Sequence, residues 1–211
     1  MKQLREFLHI GDRPFWLRHL HRWHWISAAI SLVGMMLFAI TGITLNHARQ
    51  IEAGPQVTSR EGTLPPALLK ELATKEGEKE RPLPDSVQDW LSRELSISVG
   101  ERAAEWSEQE VYVSLPRPGG DAWLTIDRAQ GAVLYEVTNR GWISYLNDLH
   151  KGRNAGLVWS LFIDAFAAAC LIFCFTGLFL LQMHAVRRPS TWPMVGVGIA
   201  VPVAILLLFV H

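Results

Sequence analysis

Charge-free apolar runs alternate with polar stretches along the chain, and their lengths set the predicted elements. The first run, Trp25–Asn46, reads WISAAISLVGMMLFAITGITLN and contains no charged residue. Its 22 residues rise ~33 Å as a helix, enough to cross the hydrocarbon core of a bilayer. Leu157–Gln182 is apolar apart from Asp164, and Trp192–Val210 carries no charge. All three are candidate transmembrane helices by length. The third holds Gly196, Gly198 and Pro202, residues that membrane helices tolerate and that often kink them.

Between the first two runs lies a polar stretch of roughly a hundred residues, the size of one small domain. It begins proline-broken and partly helical around Pro66–Lys75. Ser86–Leu95 reads as an amphipathic helix with Val87, Trp90, Leu91 and Leu95 turned inward. Strand signals follow at Val111–Leu115, Trp123–Asp127 and Ala132–Val137, joined by PRPGGD and RAQG turns. The start of the chain, MKQLREFLHIGDRPFWLRHL, is amphipathic and basic, broken by Gly11, Asp12 and Pro14. That predicts a short helix lying on the cytoplasmic surface. WISYLNDLHKGRN, Trp142–Asn154, predicts a second interfacial helix ahead of the second span, and Trp16, Trp23 and Trp25 fit an aromatic belt. The expected organisation is an N-terminal cytoplasmic or interfacial segment 1–23, a first transmembrane helix 24–47, and an outer domain 48–141. A periplasmic interfacial segment 142–156 and transmembrane helices 157–184 and 192–210 follow. The fold class is a membrane protein: three transmembrane α-helices with an inserted periplasmic α+β domain.

Charge adds orientation. The 211 residues sum to zero formal charge, which hides the split into apolar and polar segments. Lys2, Arg5, Arg13, Arg18 and Arg22 precede the first run, and Arg187 and Arg188 lie between the second and third. The positive-inside rule places both groups in the cytoplasm, with the polar insertion and His211 outside, in a bacterial inner membrane. The first run is long for a signal peptide, and LNHARQ after it is a poor cleavage site, so a retained anchor is expected. Cys170 and Cys174 both fall within the second span, four apart, and read as small packing residues. No disulfide framework, nucleotide loop or nucleic-acid patch is visible, and no nucleic-acid partner is expected.

Candidate chemistry lies in five histidines at the ends of the first two apolar runs. His21, His24 and His184 group at the cytoplasmic end, and His47 and His150 at the outer end. From His24 to His47 the helix rises ~34 Å. Imidazole is a common metal ligand, and haem iron takes axial histidine nitrogens. Ala28, Ser31 and Met35 stand at helical spacing from His24, and Gly177 stands seven residues before His184. Small residues there give a flat macrocycle room, which suits a bis-histidine b-type haem at the cytoplasmic end. Gly42 and Gly152 lie close to His47 and His150. One or two haems b would be held, by His21 or His24 with His184, and by His47 with His150. The absence of CxxCH excludes covalent haem attachment. A histidine at a membrane interface also serves as a plain polar anchor, and that reading stands beside the haem reading. Asp164, inside the second span, reads either as a structural hydrogen-bonding group or as one that handles protons, ions or a cofactor edge. Arg140, Lys151 and Arg153 can hold an anionic ligand or haem propionates, or snorkel toward headgroups.

The words LHRWHW, LFAITGITLNH, DLHKG and FTGLFLLQMH, in that order, resemble the PepSY-associated transmembrane helix proteins of bacteria. EVYVSLPRPGGDAWLTIDRAQGAVLYEV resembles a PepSY domain, and the likeness runs from about Phe15 to Arg188. The resemblance implies an inner-membrane protein whose PepSY module lies outside, similar to members that bind b-type haem and reduce ferric siderophores. Carried over by position, it implies His21, His47, His150 and His184 as ligands, while His24 beside His21 leaves the cytoplasmic ligand open. With three spans where larger relatives have four or more, it implies a homodimer or a partner subunit. The electron donor would be a quinol or a partner reductase, and the substrate a ferric siderophore. Two rivals remain: a membrane-anchored, non-enzymatic PepSY binding or regulatory module, and an accessory subunit of metal uptake.

Overall fold

The computed structural model describes residues 13–51, 54–74 and 79–210. The reading of residues 1–12 as part of an interfacial helix, and the placement of His211, lie outside them. The chain divides into two compact units, Met1–Leu37 with Leu161–His211, and Phe38–Ser160.

The first unit is helical. Helix α1, Arg13–Asn46, runs 34 residues, so the break expected at Pro14 does not occur. Pro14 sits in the first turn, where its missing N–H has no intrahelical acceptor to lose. Together with Gly156–Arg187 and Thr191–Phe209, Pro14–Asn46 makes three helices among the described residues that are long and apolar enough to cross a membrane. On α1, Ser27 and Ser31 are buried. Their hydroxyls return to Trp23 O and Ser27 O at 2.7 Å, so no hydrogen-bonding group is left bare. A side chain at Gly34 would meet the ring of Phe166, which lies in Gly156–His184. Small residues thus let these two helices approach closely, as membrane helices do.

The second unit carries a six-stranded antiparallel sheet in the order β1-β6-β5-β4-β3-β2. Its strands are β1 Gln56–Thr63, β2 Glu80–Pro82, β3 Ala103–Trp106, β4 Glu110–Ser114, β5 Gly120–Asp127 and β6 Ala132–Asn139. Helices α2, Pro66–Thr74, and α3, Asp85–Glu94, supply Leu72, Val87 and Leu91 to one core with the sheet. Strand β5 alternates strictly, burying Ala122, Leu124 and Ile126. Val111 faces Ile126 and Val113 faces Leu124 across the β4–β5 ladder. Full burial of each such side chain contributes roughly 1.5–3 kcal/mol. Trp90 and Leu95, read as inward, are partly buried against this core, and Gly62 of β1 makes room for both.

Strands β4, β5 and β6 coincide with the expected strands, whereas β1, β2 and β3 were not expected. β1, QVTSREGT, is an edge strand paired with β6 alone, Gln56 opposite Asn139. Nearly all its positions are exposed, so it has no apolar alternation to read.

Helix α4, Trp142–Lys151, is shorter than its expected range because Gly152 ends it in the left-handed conformation at φ 67°. There the Gly152 N–H reaches Leu149 O and the Arg153 N–H reaches Asp148 O. The turn before β5 docks on α4, where a side chain at Gly119 would fall 2.8 Å from the Tyr145 Cα. Helix α5, Gly156–His184, and helix α6, Thr191–Phe209, complete the chain. α6 continues through Pro202 and buries no residue.

Candidate histidine sites

Within the helical unit, His21 of α1 and His184, the last residue of α5, lie together. Their ring centroids are 6.3 Å apart and their planes nearly perpendicular, at 87°. His21 Nδ1 donates to Leu17 O at 2.7 Å, and His184 Nδ1 donates to Leu180 O at 2.8 Å. A carbonyl only accepts, so Nδ1 holds the hydrogen and the neutral ring keeps a lone pair on Nε2. Metal-bound histidines are oriented in this way, with the other ring nitrogen tied down. Two imidazoles on one metal ion, each bonded at about 2 Å, place their centroids roughly 5 Å apart at a tetrahedral angle and up to about 6.3 Å when opposite each other. The observed separation falls in that range. Leu20 and Met183, the residues just before this pair, join Trp16 and Phe179 around an apolar hollow of about 480 Å³.

His24 faces α5 instead. Its Nδ1 lies 3.0 Å from Thr176 Oγ1, whose own hydrogen goes to Ile172 O at 2.7 Å, so the threonine accepts. The ring stacks on Phe173 at 4.5 Å, and the missing side chain of Gly177 leaves space for it. The room that Gly177 provides is thus filled by His24. Of the two cytoplasmic-end candidates, His21 is the one beside His184.

Within the sheet unit, His150 of α4 packs against the end of α1. Its Nδ1 stands 2.7 Å from Thr41 Oγ1, and Thr41 donates to Phe38 O at 3.1 Å, which makes His150 the donor. Phe38 covers the ring at 4.9 Å, and Gly42 lies beneath it. One turn along, Thr44 donates to the buried Asn147 Oδ1 at 2.8 Å. Two threonines therefore fasten α4 to α1. His47 is exposed, with Nδ1 on Ile43 O at 2.9 Å. It sits about a quarter-turn from the Thr41–Thr44 face, and no hydrogen bond or ring contact joins it to His150 among the described residues.

The charged candidates are distributed differently. Arg153 pairs with Asp148 at 3.0 Å, and Arg140 pairs with Asp121. Lys151 is exposed. Asp148, with its side chain 5% exposed, also accepts the Gly119 N–H at 2.8 Å, which fixes the β5 turn to α4. Asp164 is exposed on α5, about half a turn from Phe166 and Phe173. Reasoning from sequence passed over Thr41, Thr44, Asn147, Asp148 and Thr176. The one signal for the three threonines was a hydroxyl at helical spacing inside an apolar run, and Asn147 and Asp148 gave none.

Among the described residues no group of three or more His, Cys, Asp or Glu side chains can hold a metal ion. A protein-only tetrahedral centre has no ligand set there. A pair of histidines can serve as the two axial ligands of an iron whose other four are supplied by a macrocycle, and the donor set at His21 and His184 fits that case.

The PepSY_TM-like family model, PepSY_TM_like_2, matches residues 15–211. The chain belongs to the PepSY_TM-like family. Neither a curated protein nor a solved structure gives a match. As a PepSY_TM-like protein it joins three apolar helices of spanning length to an antiparallel sheet domain, the parts of a membrane protein with a PepSY-like module.

Proposed function

We propose that this PepSY_TM-like protein is an inner-membrane, b-type haem protein that passes electrons to a ferric complex on the periplasmic side. The observation that carries the reading is the His21–His184 pair, two imidazoles 6.3 Å apart with both Nδ1 hydrogens tied to their own helices. Bound haem would supply one-electron chemistry there. His21 and His184 would ligate it through Nε2. Leu17 O and Leu180 O hold the tautomer, and Trp16, Leu20, Phe179 and Met183 offer apolar surface that keeps water away. The same apolar hollow would admit a lipid-soluble quinol as donor. His47 and His150 are the candidates for a second haem, and haem per chain decides between one site and two. Reduction of the acceptor loosens iron because siderophore oxygen donors hold ferric ion more tightly than ferrous.

The test is an optical spectrum of the detergent-purified full chain, expressed with ample haem, before and after dithionite. A low-spin b-haem difference spectrum is expected. The haem of the His21–His184 site is lost in both His21→Ala and His184→Ala, so the signal vanishes if the chain holds one haem and halves if it holds two. It is kept in full in His24→Ala, whose ring is already engaged by Thr176 and Phe173. A colourless protein, or one whose haem per chain is unchanged in both ligand variants, overturns the reading. The second reading is then the anchored PepSY binding module, favoured by the way His24 and His150 fasten helices through threonines.

A further inference from the structure

Asp164 is independent of the haem reading. It lies eight residues into α5, about 12 Å along the axis from Gly156. Helix α5 meets α1 through Phe166, Phe173 and Thr176, and Asp164 points the other way, exposed. It has no hydrogen bond or ion pair among the described residues, and α6 does not cover it. The same side of α5 carries Ala167 and Ala168 beside Asp164, then Leu171 and Phe175, all exposed. An ionisable side chain at this depth in hydrocarbon is costly and normally faces a partner or a water-filled cavity.

The chain itself offers no counter-charge. Neither Lys nor Arg occurs within Trp25–Asn46, Leu157–Gln182 or Trp192–Val210. A second copy laid on this face would bring another carboxylate at the same depth rather than a cation. We propose that the Asp164 face docks a transmembrane helix of a different membrane protein, one carrying a Lys or Arg at matching depth. The alanines let the partner backbone approach closely, and the carboxylate supplies the complementary charge.

The test places a photo-reactive benzoylphenylalanine at Ala168 of the full chain in its host's membranes, with Ile199 on α6 as the comparison position. Irradiation is expected to give one adduct from Ala168, to a membrane protein whose cross-linked span contains Lys or Arg. Its yield should fall at least tenfold with Asp164→Leu and persist with Asp164→Glu. Leucine in place of aspartate makes the span more apolar, so insertion is retained. Replacing the partner's basic residue by Leu should reproduce the loss. Adducts only to lipid or to a second copy, no adduct, a partner span without a basic residue, or a yield indifferent to Asp164→Leu each overturn the proposal.

Discussion

A carbonyl four residues back decides which nitrogen of His21, His47 and His184 faces outward. Threonines do the same for His24 and His150, because each threonine spends its own hydrogen on a helix carbonyl and can only accept. All five histidines therefore present Nε2 bare in the neutral ring, and the difference among them is company. Buried polar partners set the cost of change at this scale. Asp148 accepts the Gly119 N–H and the Arg153 guanidinium with little solvent access. Asp148→Ala should destabilise the fold by about 2–3 kcal/mol, with Asp148→Asn costing less because one acceptor oxygen remains. Asp89, exposed in its pair with Arg93, gives the comparison, and Asp89→Ala should stay within about 0.5 kcal/mol. Urea unfolding in detergent, followed by tryptophan fluorescence, measures all three. Equal losses for Asp148→Ala and Asp89→Ala would remove the special standing of Asp148.

At the scale of elements, one edge of the sheet is a strand with hardly any apolar content. Ser59 and Glu61 of β1 share one face, and their polarity keeps a free ladder from recruiting another chain. Replacing both by Val should leave the fold intact and raise the apparent mass in detergent, read by light scattering at increasing concentration. A mass that stays constant would mean the edge is protected by something other than its polarity. The same polarity explains what was legible beforehand. β5 declared itself because it is flanked on both sides and buries every second residue, while β1 gains no apolar pattern from having one neighbour. α1 was legible by its charge-free centre but not by its start, because a proline that begins a helix looks the same as one that breaks it. The histidines stood out as polar residues at the ends of apolar runs. Their threonine partners did not, since a hydroxyl inside such a run reads alike whether it returns to its own helix or meets another.

At the scale of the whole molecule, the basic residues predict which side each segment occupies. In a background with Cys170→Ser and Cys174→Ser, single cysteines report it. Glu101→Cys in the sheet domain should react with a membrane-impermeant maleimide in spheroplasts, and Arg187→Cys only after lysis. Labelling of both positions before lysis, or the reverse order, would contradict the orientation.

The pairing of Gln56 with Asn139 has a consequence for the history of such chains. Where the sheet domain is entered and where it is left lie across a single ladder, about 5 Å apart. A tight turn is enough to bridge that gap. Everything between the two points is a cassette that can be shortened, enlarged or exchanged without altering how far apart its flanking segments begin. The helices before and after it can therefore stay as they are while the domain between them changes.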